Sequence, residues 1–220
     1  MAPEPSKSHS GQRQRLKLFL AGDVMTGRGI DQILPHPSDP VLFEAFVRDA
    51  RDYVELAERR NGEIDEPVGL DYIWGDAPAV LDRAGVDCRI VNLETAVTDH
   101  DEPWPRKGIN YRMHPANVPV LKALHPDVCA LANNHVLDWM HAGLLETVET
   151  LDGAGIGHAG AGASLERARA PAIVAHGDRR ILVFAFGAAS SGIPAAWAAG
   201  PDSPGVNFLP DLSTASIETA

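Results

Sequence analysis

Three short apolar runs in this chain each end abruptly in polar residues, with segments of helical character between them. "LKLFLA" (16–21) runs into Gly22-Asp23. "VDCRIVNLETAV" (86–97) carries Asn92 and Glu94, and "DVCALA" (127–132) is followed by Asn133-Asn134-His135. Apolar, β-branched runs bounded by turn residues read as buried strands. Helical spacing marks 39–60, a shorter stretch at 71–85 closed by Gly85, another in "NVPVLKALHP" (117–126), and most clearly 138–154. In that last segment Met140, Leu144, Leu145, Val148 and Leu151 share one face, and Gly153 and Gly155 lie at its end. Strands alternating with helices build βαβ units, so the expected fold class is α/β with a largely parallel sheet.

"PAIVAHGDRRILVFAFGAA" (171–189) has a different pattern. Two apolar runs meet across Gly177-Asp178, which suits the two-residue turn of a β-hairpin. The segment 98–115 is a long irregular loop, of the kind that often carries binding groups. Residues 1–15 are polar and are expected to form a disordered tail, leaving 16–220 as one domain. "LPDLSTASIETA" (209–220) reads as the first turn of a helix, so the expected domain is the N-terminal part of a longer one.

Hydrophobic residues make up 45% of the chain and charged residues 22%, enough to bury a core. The formal net charge of −11 argues against a nucleic-acid partner, because neutralising phosphates needs clustered Lys and Arg. An acidic protein still reaches an anionic substrate when a divalent cation stands between them. The apolar run in "LKLFLAGDVM" is too short and interrupted for a signal or membrane segment. The expected location of the chain as given is therefore cytoplasmic, with envelope association of a tethered parent left open. Cys88 and Cys129 lie in apolar segments without CxxC spacing and read as buried thiols; a disulfide between neighbouring strands stays open.

In a parallel α/β sheet, ligands bind beyond the carboxyl ends of the strands. Asp23, Glu94 and Asn133-Asn134-His135 all fall there, which is an oxygen-rich set with one imidazole, suited to a hard divalent cation. Each has a plainer reading, since Asp23 suits a turn and Asn suits a cap. Glu94 is the hardest to explain that way, because a carboxylate in an apolar strand is costly to bury without a partner. Arg28, in "GDVMTGRG", is a candidate for an anionic substrate. Lys107, Arg112 and His114 lie in the long loop, where a solvated role is the first reading; Arg112 is kept as a substrate-contact candidate. His158, in "GIGHAGAG", reads as a loop histidine. No GxxxxGK[ST] or GxGxxG spacing is present, which disfavours a nucleotide-binding domain.

Taken in order, "GDVMTGRG", "NLETAVT", "LANNHVLD" and "GIGHAGAG" resemble the bacterial capsule-synthesis CapA (poly-γ-glutamate biosynthesis) family. That family belongs to the metallophosphatase-like, or calcineurin-like phosphoesterase, superfamily. The resemblance spans about residues 16 to 212. It implies a β-sandwich flanked by helices, a four-layer α/β/β/α arrangement around a metal site, here C-terminally incomplete. It implies Asp23, Glu94 and Asn134 as ligands of divalent metal ions (Mn, Fe or Mg). His135 would be the catalytic residue near the leaving group. From their own positions in the chain, Arg28, Asn92, Asn133 and Arg112 are kept as candidates for contact with substrate. The implied function is a metal-dependent hydrolase in capsule or poly-γ-glutamate biosynthesis, acting on an anionic polymer or a phosphoester. A membrane-bound polymer synthase is the implied partner. The alternative is a non-catalytic accessory or scaffold domain. Two departures stand out: Met25 occupies the place where phosphoesterases usually carry a histidine, and their later histidine ligands fall outside this sequence.

Overall fold

The structure, a computed structural model, describes residues 15–219. The expected tail lies almost wholly outside the described residues. Strands β1 (Leu18–Val24), β2 (Cys88–Leu93), β3 (Ala96–Val97), β4 (Arg112–Met113), β5 (Val128–Ala130), β6 (Gly157–Ala159), β7 (Ala161–Gly162), β8 (Ala172–His176) and β9 (Arg179–Val183) alternate with the helices. These are α1 (Gly29–Gln32), α2 (Arg51–Asn61), α3 (Ala77–Ala84), α4 (Val118–Leu124), α5 (Met140–Ala154), α6 (Leu165–Arg169) and α7 (Thr214–Thr219). The fold is α/β, as the alternation predicts, built on a four-stranded parallel sheet in the order β1-β2-β5-β6. That order steps steadily across the sheet, so right-handed crossovers put the connecting helices on one face.

The main core lies under that face. Phe19, Val91, Leu93 and Cys129 meet Leu121, Leu124, Leu144 and Leu151 there. Leu144 and Leu151 are fully buried, and each such side chain contributes about 1.5–3 kcal/mol relative to exposure. The opposite face is covered only in part. The hairpin β8–β9 packs Ala172, Val174 and Val183 on Val128, Ala159 and Ile90. Its turn is the expected two-residue one, with His176 opposite Arg179 and positive φ at Gly177. Toward the β1 edge Leu18 and Leu20 stay exposed, as do Ile173, Leu182, Phe184 and Phe186 on the outer side of the hairpin.

Cys88 and Cys129 are free and buried, and burial pushes their thiols up to about 11 and about 12. The helix expected over 39–60 forms only from Arg51. Leu42 N–H donates to the Arg48 carbonyl and Ala50 N–H to the Pro40 carbonyl, folding 40–50 into a loop. The Asp49 carboxylate accepts from Arg51 N–H, starting the helix there, a local bond that competes with helix upstream. The stretch before it is pulled toward a tertiary partner: Glu44 is buried against Arg28 and Tyr53.

Candidate active site

The carboxyl ends of β1, β2 and β5 bring most of the predicted residues together. A register shift between Ala21 and Asp23 leaves Gly22 unpaired and sets Asp23 opposite Asn92. A bulge of this kind re-aims the following side chain. The Asn92 amide then donates to Asp23 Oδ1 at 3.0 Å and to Glu94 Oε2 at 2.5 Å. One side-chain amide thus holds two carboxylates from two strands. Glu94 is 8% exposed, and burial pushes its carboxyl above the usual carboxylate range, with the Asn92 bond acting the other way.

Asn133 explains much of the run after β5. Its Oδ1 accepts from His135 N–H at 3.0 Å, a turn within the motif. Its amide nitrogen donates to Asn92 Oδ1 at 2.9 Å and to the Leu93 carbonyl at 2.8 Å. Asn133 therefore ties the ends of β2 and β5 and fixes both Asn92 and His135. Asn134 stays outside this network: its amide has no hydrogen-bond partner among the described residues and lies beside Gly192.

His135 is held from behind. Its Nδ1 is 2.6 Å from Asp138 Oδ2, and the Tyr111 ring stacks on it at 4.0 Å between centroids. Asp138 is fully buried, takes Tyr111 N–H on Oδ2 at 2.6 Å, and pairs with Lys107 Nζ at 2.8 Å through Oδ1. A carboxylate only accepts, so Nδ1 carries the imidazole proton and Nε2 is left as the free acceptor. Lys107 Nζ also lies 3.2 Å from Nδ1, but both are donors, so its partner is Asp138. The free Nε2 faces Glu94 Oε1 at 4.0 Å.

That gap bears on whether a metal fits. A divalent ion bound at about 2.0–2.2 Å to both a carboxylate oxygen and an imidazole nitrogen holds them about 3–3.5 Å apart in tetrahedral or cis-octahedral geometry, so the 4.0 Å gap is wider than a shared ion needs. Asp23 and Glu94 therefore offer carboxylate oxygens to an ion, and His135 Nε2 lies just outside that reach. Among the described residues, no group of three or more His, Cys, Asp and Glu forms a metal cluster by itself. The remaining positions are left to amide oxygens or water.

Arg28 and Arg112 part company. Arg28 lies near the cluster, its guanidinium carbon 4.7 Å from the centroid of the Tyr111 ring that stacks on His135. Arg112 is buried, donates to the His100 and Asp39 carbonyls, and stacks on Trp139 at 4.1 Å, which makes it a brace for the loops. His114 caps the turn before α4 by accepting from Ala116 N–H, and His158 pairs with Asp152 at 3.1 Å. Asp138, Tyr111 and Lys107 carry more than their sequence context suggests. Asp138 had a local signal, three residues after His135 at the entry of α5. The long loop drew notice to Lys107 with a solvated role as its first reading, and Tyr111 had no signal, because that loop folds back toward His135 only in three dimensions.

A family model described as bacterial capsule synthesis protein PGA_cap matches residues 17–219. The chain belongs to the PGA_cap family. A probable polyglutamine synthesis accessory protein of Mycobacterium tuberculosis is 52% identical over 203 residues, 92% of this chain and 53% of that protein. An uncharacterized protein of Sinorhizobium fredii is 34% identical over 133 residues, 56% of this chain and 28% of that protein. The PGA_cap chain thus spans about half the length of the mycobacterial relative. Among its described residues, no helix is long and apolar enough to cross a membrane.

Proposed function

We propose that this PGA_cap chain serves capsule or polyglutamate synthesis beside a polymer synthase and carries the core of a metal-assisted hydrolytic site. The observation that carries this reading is the convergence of Asp23, Asn92, Glu94, Asn133 and His135 at one sheet edge. Asp23 and Glu94 would hold Mn, Fe or Mg, with Asn134 as a further ligand and His135 Nε2 left free for proton transfer. Such an ion polarises the bond to be cleaved and acidifies a water.

The side chains do the rest. Glu94 is a carboxylate kept in a largely water-free place, and Asn92 orients it together with Asp23. His135 presents Nε2 to the reacting group and gives or takes a proton there, while Asp138 holds its Nδ1–H and stabilises the imidazolium when it forms. Arg28 meets negative charge on the substrate, an anionic polymer or phosphoester. The partly covered sheet face, with Leu18 and Leu20 exposed, suits a second sheet laid on it, which would complete a four-layer sandwich.

A non-catalytic accessory role is the second reading, favoured by the absence of a self-sufficient metal cluster among the described residues. Titration calorimetry with Mn²⁺ separates the two. The hydrolytic reading expects one binding event in the parent chain that disappears in Asp23→Asn/Glu94→Gln. No heat in the parent, and none in a polypeptide of the relatives' full length, supports the accessory reading.

A further inference from the structure

The loop that follows Asp23 carries a second feature. Arg28 has φ 53° and ψ −134°, a conformation that non-glycine residues seldom adopt and that costs about 1–3 kcal/mol. Its glycine neighbours are pressed from both sides. A Cβ at Gly27 would lie 2.9 Å from the Arg112 carbonyl oxygen, and one at Gly29 would lie 2.9 Å from the Tyr53 Cβ. The backbone is clamped between β4 and α2, and the strained residue in the clamp is the arginine.

The clamp delivers the guanidinium to a built place. Its Nε donates to Glu44 Oε1 at 2.5 Å, and Glu44 Oε2 is taken by the Tyr53 hydroxyl at 2.7 Å. The guanidinium carbon lies 5.1 Å from the Tyr53 ring centroid and 4.7 Å from that of Tyr111. Nη1 and Nη2 have no hydrogen-bond partner among the described residues, although the side chain is 21% exposed. A planar fork with both outer nitrogens free matches the two oxygens of a carboxylate. Arg28 and Tyr53 also line a cavity of about 230 Å³ whose walls include Met25, Ile30, Ile33, Val54, Ala57 and Ile64.

We propose that Arg28 and this cavity form a subsite for an amphipathic carboxylate, whose oxygens meet the free guanidinium edge and whose aliphatic or aromatic arm fills the cavity. The Tyr111 ring touches both Arg28 and His135, so the subsite adjoins the candidate hydrolytic centre. Only the claim that this ligand is a substrate rests on the hydrolytic reading; binding itself needs neither metal nor turnover.

The test is a series of NMR titrations in chelator with acetate, butanoate, hexanoate and hexanamide. Hexanoate is expected to bind with shifts at residues 25–33 and 53–64. Affinity should rise about fourfold per methylene from acetate onward. Hexanamide should bind at least about tenfold more weakly than hexanoate. Arg28→Lys, which keeps the charge and loses the fork, should erase most of that preference. Arg28→Met/Glu44→Gln, which leaves no buried carboxylate unpaired, should erase it fully and keep the dependence on chain length. Ala57→Phe should do the reverse. Asp23→Asn should bind hexanoate as the parent does, so failure of the metal reading leaves this result intact. Equal binding of hexanoate and hexanamide, shifts elsewhere, or no binding at all would each overturn the proposal.

Discussion

Replacing Asp138 with Asn removes one negative charge and changes little in shape. Asp138 is fully buried, and its Lys107 partner is 15% exposed at the side chain. Breaking a buried pair by neutralising one member costs about 3–5 kcal/mol, because the other charge is left without compensation. The new amide oxygen still accepts Tyr111 N–H, so that bond adds nothing to the loss. For a domain of this size each kcal/mol moves Tm by about 2–4 °C, so the expected drop is about 6–20 °C. Oδ2 takes both Tyr111 N–H and His135 Nδ1–H, so the amide oxygen keeps that place and the ring keeps its Nδ1 proton, while the amide nitrogen faces the Lys107 ammonium, donor against donor. Thermal unfolding reads the first effect, and ¹⁵N chemical shifts of labelled histidine read the second. Lys107→Met in the same background removes the stranded ammonium and should restore at least about 1–2 kcal/mol, the coupling expected of contacting groups. A loss below about 1 kcal/mol would show that Asp138 does not pair with Lys107, and a ring proton found on Nε2 would show that it does not orient His135.

Glu94→Gln tests the cost of keeping a carboxylate in this site. Burial raises the folded carboxyl above its unfolded value of about 4.3, so the folded state prefers the protonated form. The associated stability is present below the unfolded value and lost as pH rises through the folded one. In chelator the variant should melt above the parent at pH 7, with the gap closing below about pH 4; a constant gap across that range would refute the assignment. Asp31→Ala leaves the Ser38 and His114 amides and the Asn117 side chain without their shared acceptor. With about 1–3 kcal/mol per stranded donor, a loss of at least about 3 kcal/mol in urea unfolding is expected. Phe184→Ser/Phe186→Ser trims the exposed outer side of the hairpin. It should lower binding of a hydrophobic dye and change stability by less than about 0.5 kcal/mol per site, and an unchanged dye signal would place the apolar patch elsewhere.

Much of the frame is legible along the chain because its causes are local. The strand around Val91, the helix carrying Leu144 and Leu151, and the Gly177-Asp178 turn each rest on periodicity or turn chemistry within a few residues. The first half of the helix expected over 39–60 fails for the complementary reason. Phe43 and Phe46 fit the helical spacing, but Glu44 is drawn to Arg28 and Tyr53, and that tertiary pull outweighs local preference.

The site divides along the same line. Residue order alone puts Asp23, Glu94 and His135 at the carboxyl ends of apolar strands, and parallel pairing brings those ends to one edge. Which side chains face one another follows from the packed fold. The bulge at Gly22 turns Asp23 toward Asn92, Asn133 becomes a tie between β2 and β5, and Asn134 is left outside their network. Asp138, Lys107 and Tyr111 close behind His135 because a loop about 30 residues upstream in sequence folds across it. Hydrogen bonds and ion pairs of that span depend on geometry set by the whole core, and no local pattern of residues encodes them.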